Sequence, residues 1–220
     1  MKSYIEKEHQ LTLLREKLSS WFDDNRRIFP WRDPNITIFQ NIITEILLQR
    51  TKAESVANMY HSFFKRFNTW DSLNRVHVTE IETHLKPLGI WRRRSLTLKR
   101  LAHVMVKQDG KFPTDRSEID KLPGVGQYVG NAIEMFCHNR PMPLLDTNMA
   151  RVLERVFKPR KLADIRHDPW LQSISKEIVS SENAVQLNWA FLDLGAMICT
   201  PRNPSCDQCP LASECNYFNN

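Results

Sequence analysis

Four of the chain's five cysteines fall in its last 22 residues, spaced Cys199-x6-Cys206-x2-Cys209-x5-Cys215. Thiols packed that densely point to metal ligation. A disulfide framework needs an oxidising compartment, and the opening residues, Met1 to Glu8, lack the apolar stretch of a secretory leader, so a cytoplasmic protein is expected. Zinc and an iron–sulfur cluster both accept four thiolates. Paired C-x2-C knuckles are the commoner zinc pattern, and only Cys206 and Cys209 have that spacing. Cys137 lies on an amphipathic helical stripe and reads as a buried free thiol.

A second site is made of backbone. Only six glycines occur, yet Gly124, Gly126 and Gly130 fall within seven residues, in and just after Leu122-Pro123-Gly124-Val125-Gly126-Gln127-Tyr128. Pro123 to Gly126 makes a tight hairpin, because glycine accepts positive φ and lets another backbone come close. Gly126 then opens a helix whose first N–H groups, from Gln127 onward, suit a phosphate oxygen. Thirty-one Lys and Arg against 25 Asp and Glu give a net charge of +6, which fits a polyanionic partner. Pro143-Leu144-Leu145 leads into another helix, so Asp146 falls near its N-cap, where amide donors should keep the carboxylate ionised. Taken alone, Asp146 is a cap worth about 1 kcal/mol, and Glu45 is a solvated helix glutamate.

The elements that carry these residues are helical almost throughout. Leu11, Leu14, Leu18, Trp21 and Phe22 form one apolar stripe, and Phe39, Ile42, Ile43, Ile46 and Leu47 form another at i, i+3, i+4, i+7, i+8. Further stripes run through Val56–Phe64, Leu98–Met105, Val129–Phe136, Met149–Phe157 and Leu187–Leu194, with prolines punctuating them. No period-2 segment of strand length occurs. The fold is predicted to be all-α, and 220 residues suffice for one large domain or two small lobes. At 41% hydrophobic and 25% charged the composition is that of a globular chain. No run of 18 apolar residues exists, which excludes a membrane-spanning helix.

Leu122-Pro123-Gly124-Val125-Gly126, followed by Leu145-Asp146-Thr147-Asn148, resembles the helix-hairpin-helix (HhH-GPD) DNA glycosylases, the superfamily of endonuclease III and the MutY-type and Mig-type enzymes. Phe29-Pro30-Trp31-Arg32, Ile43 to Thr51 and Asp193 to Cys199 look like the MutY/Mig branch. The resemblance spans about residues 10 to 217. It implies two helical lobes: a six-helix barrel with the hairpin over residues 30–140, and residues 1–29 with 141–220 around a cluster loop. DNA would lie in a cleft between the lobes, with Glu45 and Asp146 facing each other across it. The 6-2-5 cysteine spacing is that of the family's 4Fe–4S loop, so the resemblance makes Cys199, Cys206, Cys209 and Cys215 cluster ligands with a structural role.

The resemblance also implies an activity: hydrolysis of the N-glycosidic bond of a base flipped out of double-stranded DNA. Positive charge develops on the sugar, and Asp146 matches the aspartate that stabilises it. Glu45 matches the glutamate that protonates the base or handles water. Tyr128 stands where bifunctional relatives carry a Schiff-base lysine, so a monofunctional enzyme is expected. Arg50 matches a residue inserted into the duplex, with Gln49 beside it, and Trp91 takes the place of an aromatic wedge. Arg92, Arg93, Arg94 and Arg202 read as phosphate contacts, with the hairpin's Gly124, Gly126 and Gln127.

Thymine or uracil opposite guanine is the expected substrate. Chain length, Asp146-Thr147-Asn148 and Ile90-Trp91 depart from the adenine-specific pattern, in which a further C-terminal domain follows. The alternatives are a MutY-like adenine glycosylase and a DNA-binding module without catalysis. A monomer is expected, nucleoid-associated if the source is prokaryotic.

Overall fold

The computed structural model describes residues 2–219, with side chains from Glu8 onward. The helices are α1 (Lys2–Asn25), α2 (Ile38–Leu48), α3 (Ala53–Arg66), α4 (Trp70–Arg75), α5 (Val78–Leu85), α6 (Trp91–Lys107), α7 (Arg116–Ile119), α8 (Gln127–His138), α9 (Thr147–Val156), α10 (Pro169–Val179), α11 (Ala184–Met197) and α12 (Asn216–Asn219). Among the described residues there is no strand, so the fold is all-α. The chain divides into two units, residues 28–140 and a second built from residues up to Arg27 together with those from Pro141.

In the 28–140 unit, α2 packs on α3 and α8, while α4 and α5 pack on α6. Ile42, Ile43, Phe63, Leu98, Leu101, Val129 and Ile133 are fully buried, each on a stripe of helical period. Thr37 opens α2 with a reciprocal capping box to Gln40. The Lys99 ammonium donates to the carbonyls of Asn74 and Val76, the latter at 2.7 Å, and so satisfies acceptors left open at the end of α4. One face of α2 differs from the sequence reading: Glu45 is only 4% exposed. Because α8 covers the flank that a single-stripe helix would leave wet, Thr44 and Glu45 are enclosed with the apolar residues.

The other unit is built on Leu11, Leu14, Leu18 and Phe22 of α1, Met149, Val152, Leu153 and Val156 of α9, and Leu187, Phe191 and Leu194 of α11. Leu211 and Cys215 join that core, which anchors the cysteine loop. Asn188 on α11, fully buried, splints the segment ahead of α9: its Oδ1 accepts from the Leu144 amide at 2.6 Å and its Nδ2 donates to the Met142 carbonyl at 3.0 Å. The buried carboxylate of Asp193 accepts from the backbone N–H and Nε of Arg27 at 3.0 and 2.6 Å.

Candidate active site and nucleic-acid interface

Tyr128, on the first turn of α8, donates its hydroxyl to Glu45 Oε2 at 3.0 Å. The two residues come from opposite sides of the α2–α8 contact, so packing fixes their approach. A buried carboxylate joined to a half-buried phenol is a proton-handling pair. The hairpin that delivers Tyr128 is shaped as expected. Gly124 has φ +78°, and a Cβ there would collide with Thr97 of α6. Gly126 caps α8 with extended backbone and no side-chain bond. Arg116 braces the hairpin from α7, binding Asp120 at 2.8 Å, Asn131 at 2.7 Å and Glu134 at 2.5 Å.

Asp146 is the N-cap of α9. Its Oδ1 accepts from the amides of Asn148 and Met149 at 2.8 and 2.9 Å, and its Oδ2 from the Asn148 side chain at 3.0 Å. Burial nevertheless pushes the Asp146 carboxyl above the usual aspartate range, against the pull of those amides and of Arg151. The cap hydrogen bonds favour the ionised carboxylate, as the sequence suggests, and desolvation works against them. From Asn148 the network continues. Arg151 donates to Asn148 Oδ1 at 2.8 Å, to the Gly195 carbonyl at 2.6 Å and to the Cys199 carbonyl at 2.7 Å. Gly195 permits this closeness, since a Cβ there would meet Asn148 Cβ at 2.7 Å. Asp146 is thus wired to the start of the cysteine loop, a link that the sequence hints at only through the helical spacing of Asn148 and Arg151.

The four thiols of that loop, Cys199, Cys206, Cys209 and Cys215, line one cavity with Ile198, Pro204 and Tyr217. Burial pushes the Cys209 thiol up to about 11, and burial with the neighbouring Cys215 and Cys199 raises Cys206. Thiols that disfavour one another's ionisation suit a shared positive centre. Four thiols around one cavity are a donor set that an iron–sulfur cluster fits. Arg155 donates to Cys199 Sγ at 3.3 Å and to the Thr200 carbonyl at 2.8 Å, while stacking on Tyr217 at 4.6 Å. Arg202, between the first two cysteines, is exposed.

Gln49 and Arg50 are exposed at the end of α2, with Arg50 in the left-handed region at φ 56°. Trp91 is half-buried, with the Arg92 guanidinium 4.4 Å above its ring. The exposed apolar residue of this turn is Ile90, 56% exposed and held at φ 38°; no local sequence pattern marks that conformation. Arg92 and Arg93 are exposed at the uncapped N-terminus of α6, where the helix dipole opposes them. Cations placed against a dipole indicate an anionic partner.

Arg94 is a correction. It is 6% exposed and points inward, donating to the carbonyls of Leu88 at 3.2 Å, Gly89 at 3.3 Å and Gln49, and to Thr51 Oγ1 at 2.7 Å. It is therefore not a phosphate contact but a clamp holding the Arg50 turn to the Ile90 turn. The signal was available, since Arg94 lies in helical phase with the apolar Leu98, Leu101 and Met105. Arg94→Met should strand those acceptors and cost about 2–4 kcal/mol, read as a lower urea midpoint.

Residues 43–167 match the family model described as "HhH-GPD superfamily base excision DNA repair protein". The chain belongs to this superfamily. Residues 199–215 match the iron–sulfur binding domain of endonuclease III, so the cofactor is an iron–sulfur cluster. The chain is 33% identical to a thymine-DNA glycosylase of Aeropyrum pernix, covering 96% of each chain. It is 30% identical to an adenine DNA glycosylase of Buchnera aphidicola, over 89% of this chain and 57% of that one. A solved thermostable thymine-DNA glycosylase superposes with a TM-score of 0.86 at 28% identity, over 97% of this chain and 98% of that one. The chain is a DNA glycosylase of the HhH-GPD superfamily, and DNA is its partner.

Proposed function

We propose that this glycosylase is monofunctional and removes thymine or uracil opposite guanine from duplex DNA. The observation that carries the monofunctional reading is the Tyr128–Glu45 hydrogen bond. The position that would hold an attacking amine holds a phenol already committed to a carboxylate, and a phenol cannot form an imine. The substrate reading is supported by the thymine-DNA glycosylase relatives that the chain matches end to end.

In this reading Asp146 stabilises the cationic sugar as the base departs. Glu45, oriented by Tyr128, takes the proton of the water that adds to C1′. Arg50 and Ile90 enter the base stack from their two clamped turns, and the hairpin, Arg92, Arg93 and Arg202 hold backbone phosphates. Cys199, Cys206, Cys209 and Cys215 hold the cluster, which shapes the loop carrying Arg202, and the protein acts as a monomer.

The test is excision from duplexes bearing T·G, U·G, A·8-oxoguanine and A·G pairs, with and without alkali. T·G and U·G strands should break after alkali alone. Cleavage confined to the adenine strands would reassign the substrate.

A further inference from the structure

Between Glu82 and Asp109 the chain carries seven Lys and Arg and no Asp or Glu. Most of this stretch is α6. Two of the seven cations act inside the fold, Arg94 as the clamp and Lys99 on the carbonyls ending α4. The remainder lie outside it. Arg93, Leu96, Arg100, His103 and Lys107 are all exposed and recur at alternating three- and four-residue steps, which puts them in one line along the helix. The line lies opposite the buried Leu98, Leu101, Ala102 and Met105.

Arg93, Arg100 and Lys107 have no carboxylate partner among the described residues. On the neighbouring helices Asp71 is engaged by Arg75 at 2.9 Å and Glu80 by Arg66 at 2.5 Å, and Glu82 makes no ion pair with the α6 cations. A row of like charges destabilises a helix, and Arg93 also opposes the dipole. An ordinary solvated face would intersperse acids. From Arg93 to Lys107 the line runs about 21 Å, at 1.5 Å per residue, the rise of roughly six base pairs.

We propose that this outer face of α6, from Arg100 to Lys107, is a second DNA-binding surface that continues from Arg93 along duplex backbone beyond the phosphates held around the excised base. The proposal rests on the reading of the chain as a glycosylase of duplex DNA. Two phosphate contacts release enough counterion to be worth about tenfold in affinity between about 50 and 200 mM salt, a slope of about −1.8 in log–log form.

The test compares wild type with Arg100→Gln/Lys107→Gln on undamaged duplexes of about 12 and 40 base pairs, by anisotropy across that salt range. On the long duplex the variant's salt slope should be shallower by about 2. On the short duplex, binding and single-turnover excision of a mismatched base should match wild type, and Arg100→Lys/Lys107→Arg should restore the slope. Equal slopes on the long duplex would overturn the proposal. So would an equal loss at both lengths, which would place these residues within the lesion contacts. A slope difference in a protein that excises no base would instead leave the surface standing and sink the glycosylase reading.

Discussion

Asp146→Asn is expected to bind mismatched duplex like the wild-type protein and to excise on the order of 10²–10³ times more slowly in single turnover. The fixed anion is lost while the shape of the cap is kept, because an amide oxygen can still accept from the Asn148 and Met149 amides. Burial raises the Asp146 pKa, so wild-type excision should fade, as pH drops, sooner than an ordinary aspartate would require. The linkage has a definite sign. A raised folded-state pKa means that protonation favours the folded state: this stabilisation is fully present below the unfolded pKa and is lost as pH rises through the folded one. Above that window the wild-type protein keeps a desolvated carboxylate, whereas the asparagine variant remains neutral. Asp146→Asn should therefore melt no lower than wild type at neutral pH. A large fall in Tm would mean that Asp146 is chiefly a structural cap.

The wiring behind Asp146 makes a related distinction. Arg151 touches Asn148, Gly195 and Cys199 at once, so disorder in the cysteine loop would reach the Asp146 carboxylate through two side chains. The cluster can then matter to excision through position alone.

Much of this was legible in the sequence, for physical reasons that differ from residue to residue. The apolar stripes of α1, α9 and α11 are one-sided, so their period reports their buried face directly. Asp146 was readable as a cap because Pro143 and the stripe from Met149 bracket it. Glu45 was not readable as buried: α2 is covered on two sides, and one-stripe logic assigns its second covered face to solvent. Arg94 reads as a phosphate contact because it sits in a run of three arginines, where residue type hides what helical phase reveals. Ile90 and Arg50 are exposed on left-handed backbone in the two turns that Arg94 joins, a long-range contact that no local pattern carries.

Tyr128→Lys should convert a hydrolase into an enzyme that also reacts covalently with its product. The wild-type protein, offered a preformed abasic duplex and borohydride, should give no trapped complex. The lysine variant should: its amine attacks the C1′ aldehyde, water leaves, and borohydride reduces the imine to a stable amine. Without reductant the imine promotes elimination, and the strand breaks before alkali is added. The geometry adds a pH dependence. The Tyr128 hydroxyl lies 3.0 Å from Glu45 Oε2, so a lysine there gains a carboxylate partner that favours ammonium, whereas burial and the N-terminus of α8 favour the free amine. The ion pair is the nearer influence, so trapping should rise steeply with pH. Adding Glu45→Gln removes the partner and should move that rise to lower pH; the abasic substrate makes the comparison independent of excision. A wild-type protein that already traps would refute the monofunctional assignment. A lysine variant that binds abasic DNA yet never traps at any pH would place Tyr128 away from C1′, and the phenol would then be a support for Glu45 alone.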